Sequence, residues 1–279
     1  MEFLQSIVLG VLQGLTEFLP ISSSAHLAIF PKFLGWEDPG AAYTAVVQIG
    51  TEIAVVLYFW RDIWTIGSGW VRGLFSAEAR QEPEWRMGWF VIVGSLPIVA
   101  IGLLLEDMID DNFRNLWVIG TTLIVLGVVL GIAERVGRNA RPIEDLAWGH
   151  AVLLGLAQAA AVVPGVSRSG ATISMGLFLG YERAAATRYA FLLAIPAVVG
   201  AGVYKLKDIP GGDNAYGWGP TLVGTVVSFA VGMAVIHWLL KWVSTRSYAP
   251  FVVYRIALGS LVLILLGCGV IGAEVAIDG

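Results

Sequence analysis

The sequence predicts an all-α polytopic membrane protein with six transmembrane helices and two re-entrant helical hairpins inserted from opposite faces. Three observations predict it. The 279 residues are 57% hydrophobic and only 14% charged, with a mean hydropathy of +0.77, where a soluble domain carries about 25% charge. Six apolar stretches are long enough to cross about 30 Å of hydrocarbon as helices. Two further apolar stretches are broken in the middle by proline and serine. Residues 1–279 are expected to form a single integral membrane domain, because no polar stretch is long enough for a second.

The first broken stretch, residues 3–33, is interrupted at "LPISSS". Each half is about half a span long, and Pro20 lacks an N–H and disfavours helix at the residue before it. The spans are placed near 42–60, 87–105 and 115–134. A second broken stretch, 149–180, is interrupted at "VPGVSRSG", and spans near 186–204, 218–241 and 251–272 follow. Non-helical backbone at membrane depth is tolerated only where it is buried in protein or lines a cavity.

Charge orients these elements. Arg61, Arg72, Arg80 and Arg86 follow the first span, Arg135, Arg138 and Arg141 the third, and Lys241 and Arg246 the fifth. These loops are expected on the cytoplasmic side of the plasma (inner) membrane. The acidic loop with Glu106, Asp107, Asp110 and Asp111 is expected outside, as is the C-terminal "EVAIDG"; Lys205 and Lys207 run against the rule. The first hairpin then enters from outside and the second from the cytoplasm. "MEFLQS" has no basic n-region, so no cleaved signal peptide is expected. Cys268 is the only cysteine, which excludes an internal disulfide and a cysteine-based metal site. With a net charge of −4 and a pI near 5.4, nucleic acid is not an expected partner.

The two breaks look alike. One runs from Gln13 to Pro20, Ser22, Ser23 and Ser24; the other from Gln158 to Pro164, Ser167, Arg168 and Ser169. "SLPIVAIGLL" also echoes "AIPAVVGAGV". The pattern suggests inverted-topology repeats at about 1–135 and about 148–279. Ser22 or Ser23, and Ser167, fall at N-cap positions, so free N–H groups and the positive helix end face the midplane. Arg168 adds a planar fork of donors suited to phosphate.

Reactive groups collect at the same place. Gln13 and Glu17 are four apart and share a helix face; Ser23 and His26 are three apart on the next half-helix. A carboxylate, hydroxyl, imidazole and arginine suffice for phosphoryl transfer. Plainer readings stand beside this one. Ser22, Ser24 and Ser169 serve equally well as caps alone, and His150 and His237 read as structural. Intramembrane Glu17, Glu52, Arg168 and Arg255 are functional candidates by default. Glu52 either lines the cavity or pairs with Arg255, which is placed outside the tips. The Trp residues read as interface belts.

"GVLQGLTEFLPISSSAHL" and "VVPGVSRSGATIS" resemble the two signature motifs of the undecaprenyl-diphosphate phosphatase family, the BacA/UppP bacitracin-resistance proteins. "FWRDI", "FLLAIP" and "PFVVYR" resemble further family stretches. The resemblance implies hydrolysis of a polyprenyl diphosphate lipid to the monophosphate, with the site opening to the external face. It implies that Glu17, Ser23, His26 and Arg168 are catalytic, and that Gln13, Ser22, Ser167, Ser169 and Thr172 bind substrate. It also implies a divalent cation, Mg or Ca. Gln13 stands where many members have Glu, so a cation held mainly by the diphosphate and Glu17 is expected. Ser23 is the preferred nucleophile, with His26 or Glu17 taking its proton; attack by His26 or by water is the alternative. The expected partners are the lipid and the membrane, with a homodimer also considered. The competing class is a transporter or flippase that binds the phosphate-bearing lipid, or an anion, without cleaving it. A structural scaffold would leave intramembrane Glu17 and Arg168 unexplained.

Overall fold

Pro20 and Pro164 stop helices where the sequence says they should. In the computed structural model the described residues are 1–37, 39–104, 115–205 and 214–273. Helix α1 (Glu2–Phe18) ends before Pro20 and α2 (Ser23–Leu34) resumes after it. Helix α7 (Trp148–Ala159) runs through a short 3-10 turn toward Pro164, and α8 (Arg168–Phe178) resumes beyond it. The other helices are α3 (Ala41–Tyr58), α4 (Trp60–Phe75), α5 (Pro83–Leu104), α6 (Leu116–Val136), α9 (Arg183–Lys205), α10 (Trp218–Val243) and α11 (Ala249–Gly267). Among the described residues there is no β-strand, only one isolated bridge between Arg141 and Tyr181.

Five helices, α5, α6, α9, α10 and α11, are each long and apolar enough to cross a membrane. The protein is a multi-pass membrane protein. The expected first span, near 42–60, coincides with α3, but the chain then turns by 67° at Phe59 into a second helix, α4, where a loop was expected, and the two helices count together as one broken span. The pattern of α4 explains the turn. Arg61, Asp62 and Arg72 alternate with apolar residues, so α4 is strongly one-sided, and Trp64 and Phe75 stay largely exposed.

Each hairpin packs against spans distant in sequence. Helix α1 lies along α10 and α3, α7 lies along α5, and α6 pairs with α11. Glycines permit close crossings at both hairpins. A Cβ on Gly10 would strike the Gly224 carbonyl, and one on Gly155 would strike Gly94. Helix α1 begins where Ser6 donates to the Pro220 carbonyl (2.6 Å) and meets the Tyr43 hydroxyl (2.9 Å). Helix α7 begins where His150 meets Tyr181 (2.7 Å).

Arg61, Asp62, Glu84, Arg86, Glu144 and Arg188 line one cavity of about 600 Å³. The segments around α4, before α5 and between α6 and α7 therefore share one end of the molecule. Arg188 pairs there with Asp62, and Arg183 donates from Nε to Glu134 (2.8 Å). The acidic residues Glu106, Asp107, Asp110 and Asp111, together with Lys207 and residues 274–279, lie outside the described residues. The largest apolar cluster, with Phe18, Phe59, Leu130, Ile173, Phe191 and Ile236, surrounds the hairpin tips. Phe18 meets Phe191 edge-on at 5.6 Å, a geometry worth about 0.5–1.5 kcal/mol beyond burial.

Candidate active site

The two tips have one backbone shape. Ser22 caps α2 at φ 75° and ψ 103°, and Ser167 caps α8 at φ 71° and ψ 113°. A non-glycine residue in this region costs about 1–3 kcal/mol and persists only where its surroundings hold it. The Ser22 hydroxyl accepts from the Ala25 N–H (3.4 Å), and the Ser167 hydroxyl accepts from the Gly170 N–H (3.2 Å). Each cap serine also meets a serine two residues on, Ser22 with Ser24 (3.1 Å) and Ser167 with Ser169 (3.2 Å). Those second serines cross between tips. Ser24 accepts from the Gly165 N–H (3.4 Å), and Ser169 donates to the Leu19 carbonyl (3.2 Å).

Arg255 holds the pair from behind. It is 1% exposed. Its guanidinium donates to the carbonyls of Pro20 (3.0 Å), Gly165 (2.8 Å), Val166 (3.1 Å), Leu123 (3.2 Å) and Thr122 (3.4 Å). The breaks strip carbonyls of their helical partners, and the guanidinium, rich in donors and free of acceptors, replaces them. The expectation that Arg255 sits outside the tips is corrected by these bonds, which touch both. They also answer the question about Glu52. Arg255 spends its donors on carbonyls, whereas Glu52 lines the cavity and accepts from Gln48 Nε2 (3.2 Å).

The first residue of each resumed helix points at one carboxylate. Ser23 donates to Glu17 Oε2 (2.6 Å), and Arg168 pairs with Glu17 Oε1. Gln13 donates to Glu17 Oε2 (3.2 Å) and to the Thr51 hydroxyl (3.3 Å). Glu17 and Arg168 are mostly shielded, with side-chain exposures of 11% and 21%. A hydroxyl hydrogen-bonded to a shielded carboxylate is placed to lose its proton to it.

His26 lies beside this cluster and is not bonded to Ser23. It is fully buried; Nδ1 meets the Ser22 carbonyl (2.6 Å) and Nε2 the Tyr254 hydroxyl (2.7 Å). A carbonyl only accepts, so Nδ1 carries a proton. Tyr254 also stacks on the imidazole at 5.5 Å. Thr172 is buried and returns its hydroxyl to the Arg168 carbonyl (3.0 Å). His150 bonds Tyr181, and His237 meets Tyr58 (3.3 Å), both away from the tips. The sequence reading missed Thr51, Gln48 and Tyr254. No local motif marks them; only the neighbouring helices α3 and α11 bring them in.

Glu17, Thr51, Glu52, Arg168 and Ser169 line a cavity of about 20 Å³, room for about one water. Among the described residues no three His, Cys, Asp or Glu side chains gather as a metal-ligand set. The cavity supplies two carboxylates, Glu17 and Glu52. Divalent cations take six or more oxygens. This donor set fits a cation whose other ligands are phosphate oxygens, and not one caged by protein alone.

Known proteins agree with the motifs. A family model described as "Bacitracin resistance protein BacA" matches residues 6–261. An "Undecaprenyl-diphosphatase" from a Nocardioides species is 64% identical over 272 residues, covering 98% of this chain and 99% of that protein. One from Micrococcus luteus is 56% identical, covering 98% of this chain and 100% of that protein. "Undecaprenyl-diphosphatase 2" from Streptomyces coelicolor is 52% identical, with 100% of both chains covered. Matched over nearly its whole length, and with both tip motifs meeting at one carboxylate, the chain belongs to the BacA family of bacitracin resistance proteins.

Proposed function

We propose that the chain hydrolyses undecaprenyl diphosphate to the monophosphate and inorganic phosphate, recycling the carrier lipid for cell-envelope glycan synthesis. The observation that carries this is the 2.6 Å bond from Ser23 to Glu17, with Arg168 on the other carboxylate oxygen. Binding and transport alone need no hydroxyl poised on a carboxylate.

Diphosphate competes with Glu17 for the Arg168 guanidinium, whose fork gives two parallel bonds to phosphate. Arg168 moves onto the phosphate, and Glu17 is left free to take the Ser23 proton. Ser23 Oγ attacks the terminal phosphorus in line. The bond to the bridging oxygen breaks, and the lipid monophosphate leaves with the electron pair and the proton from Glu17. Glu17 then takes a proton from water as the water oxygen attacks phosphoserine. Ser23 departs, recovers that proton, and inorganic phosphate is released. Ser167, Ser169, Ser22 and Thr172 act chiefly by fixing the α2 and α8 N-termini, whose free N–H groups and positive ends favour an anion. Glu17 and Glu52, together with phosphate oxygens, would hold a divalent cation, Mg or Ca, which would neutralise charge on the diphosphate.

The same reading makes α1–α2 and α7–α8 re-entrant hairpins entering from opposite faces of the plasma membrane, in inverted repeats. In its support, α1 starts beside Tyr43 at the head of α3, while α7 starts at the end that holds Arg61 and Arg141. The crossings Gly10–Gly224 and Gly155–Gly94 pair each hairpin with a span of the other half. The positive-inside rule puts the arginine-rich end in the cytoplasm, and the family resemblance implies that the reactive cavity opens outward.

The test is phosphate release by the purified chain in detergent or nanodiscs. We expect one phosphate per undecaprenyl diphosphate and accumulation of the monophosphate. Stable binding of the lipid without phosphate release would sink the hydrolase and restore the transporter.

A further inference from the structure

We propose that the groove between α3 and α9 seats the first isoprene units of the substrate's tail, with Glu52 at the junction between tail groove and phosphate site. The inference deepens the diphosphatase reading and rests on it.

Two cavities meet at Glu52. The reactive one is lined by Glu17, Arg168 and Ser169. The other, about 260 Å³, is lined by Ile49, Ile53, Val56, Leu57, Val199 and Gly202. Glu52 lines both, and among the described residues it is the one charged residue lining the second. Ile49, Ile53, Val56 and Leu57 recur at three and four residues, so they form one stripe along α3. Ile53, Leu57 and Val199 are 46%, 50% and 43% exposed, so the groove opens sideways, toward lipid. Gly202 keeps the neck open, since a Cβ there would meet the Glu52 carboxylate.

The occupant follows from covalent chemistry. A polyprenyl diphosphate whose terminal phosphorus meets Ser23 has its tail tethered two phosphates away. An apolar tail needs a path out that is apolar, continuous with the phosphate site and open to the bilayer. The α3–α9 groove meets all three conditions. Each isoprene unit seated there leaves neither water nor polar groups unpaired, whereas Glu52 and Gln48 keep the polar boundary at the neck.

The experiment compares two substrates on the full chain. Farnesyl diphosphate lays a chain of isoprene units along the groove; dimethylallyl diphosphate places only the first. Ile53→Trp and Val199→Trp fill the groove. Ile132→Trp and Val226→Trp, also exposed on helices α6 and α10, serve as controls. We expect KM for farnesyl diphosphate to rise about tenfold in the groove variants, the equivalent of about 1.4 kcal/mol, with KM for dimethylallyl diphosphate rising far less and both controls like the parent. On the unaltered chain, a farnesyl bisphosphonate with a diazirine on its first isoprene unit should crosslink to residues 49–57 and to Val199. Equal effects on both substrates, or crosslinks confined to other helices, would overturn the groove. Loss of the whole diphosphatase reading looks different: the parent itself would then release no phosphate from either substrate.

Discussion

The first tip carries a carboxylate, a hydroxyl and an imidazole; the second, on the same backbone, carries an arginine. Counted from the two cap serines, Gln13 matches Gln158, Ser23 matches Arg168, Glu17 matches Val162 and His26 matches Ala171. The cap angles agree within about ten degrees, so the scaffold is shared and the chemistry is divided. The lesson is that one half-helix start, used twice, aims two different side chains at one carboxylate. The shared glutamine is also used differently: Gln13 bonds Glu17 and Thr51, while both amide atoms of buried Gln158 find no hydrogen-bond partner among the described residues.

Four tests break or sharpen the comparison. Ser23→Ala removes the nucleophile from the first tip and should lower turnover about 10³-fold, roughly 4 kcal/mol of barrier. Ser22→Ala and Ser24→Ala should cost far less; near-normal turnover in Ser23→Ala would hand the role to His26 or water. Arg168→Lys tests the second tip. Lysine keeps the charge of the Glu17 pair and loses the fork, so the variant should fold like the parent yet lose at least about 30-fold in turnover. Full activity there would reduce Arg168 to a tie between hairpins.

Arg255→Lys should do the reverse. Five carbonyls share this guanidinium, and lysine leaves several unpaired at about 1–3 kcal/mol each. A lowered melting temperature in detergent, with turnover of the folded fraction within about tenfold of the parent, is the expected pattern; an unchanged melting temperature would show that other groups hold the tips. The smallest effects belong to the caps. Ser22→Ala and Ser167→Ala should each lose about 1 kcal/mol of stability, and to a similar degree, because their geometries match. Markedly unequal losses would mean the two tips are alike only in backbone angles.

Much of this was legible in the sequence. Apolar length exposes the spans, and Pro20, Pro164 and the serine runs expose the breaks, because proline and capping chemistry act within a few residues. Glu17 and Arg168 were each legible as intramembrane charges and so as functional candidates, although their pairing was not. What failed to show depends on contacts between distant helices. The turn at Phe59 carries no proline or glycine, and Arg61, Asp62 and Arg72 beyond it read as a charged loop, so helix α4 stayed hidden. Arg255 stands far from either tip in sequence and touches both in space. Ser23 and His26 share helical spacing, yet the imidazole turns back to the Ser22 carbonyl and across to Tyr254.

The central claim is that Ser23 of the first tip attacks a phosphate held by Arg168 of the second. Rapid acid quenching of the purified chain with undecaprenyl diphosphate labelled at the terminal phosphorus tests it most directly. The account predicts labelled phosphoserine at Ser23 in peptides from the parent and none from Ser23→Ala. Acid-labile label on His26, or turnover with no labelled peptide at any quench time, would contradict it.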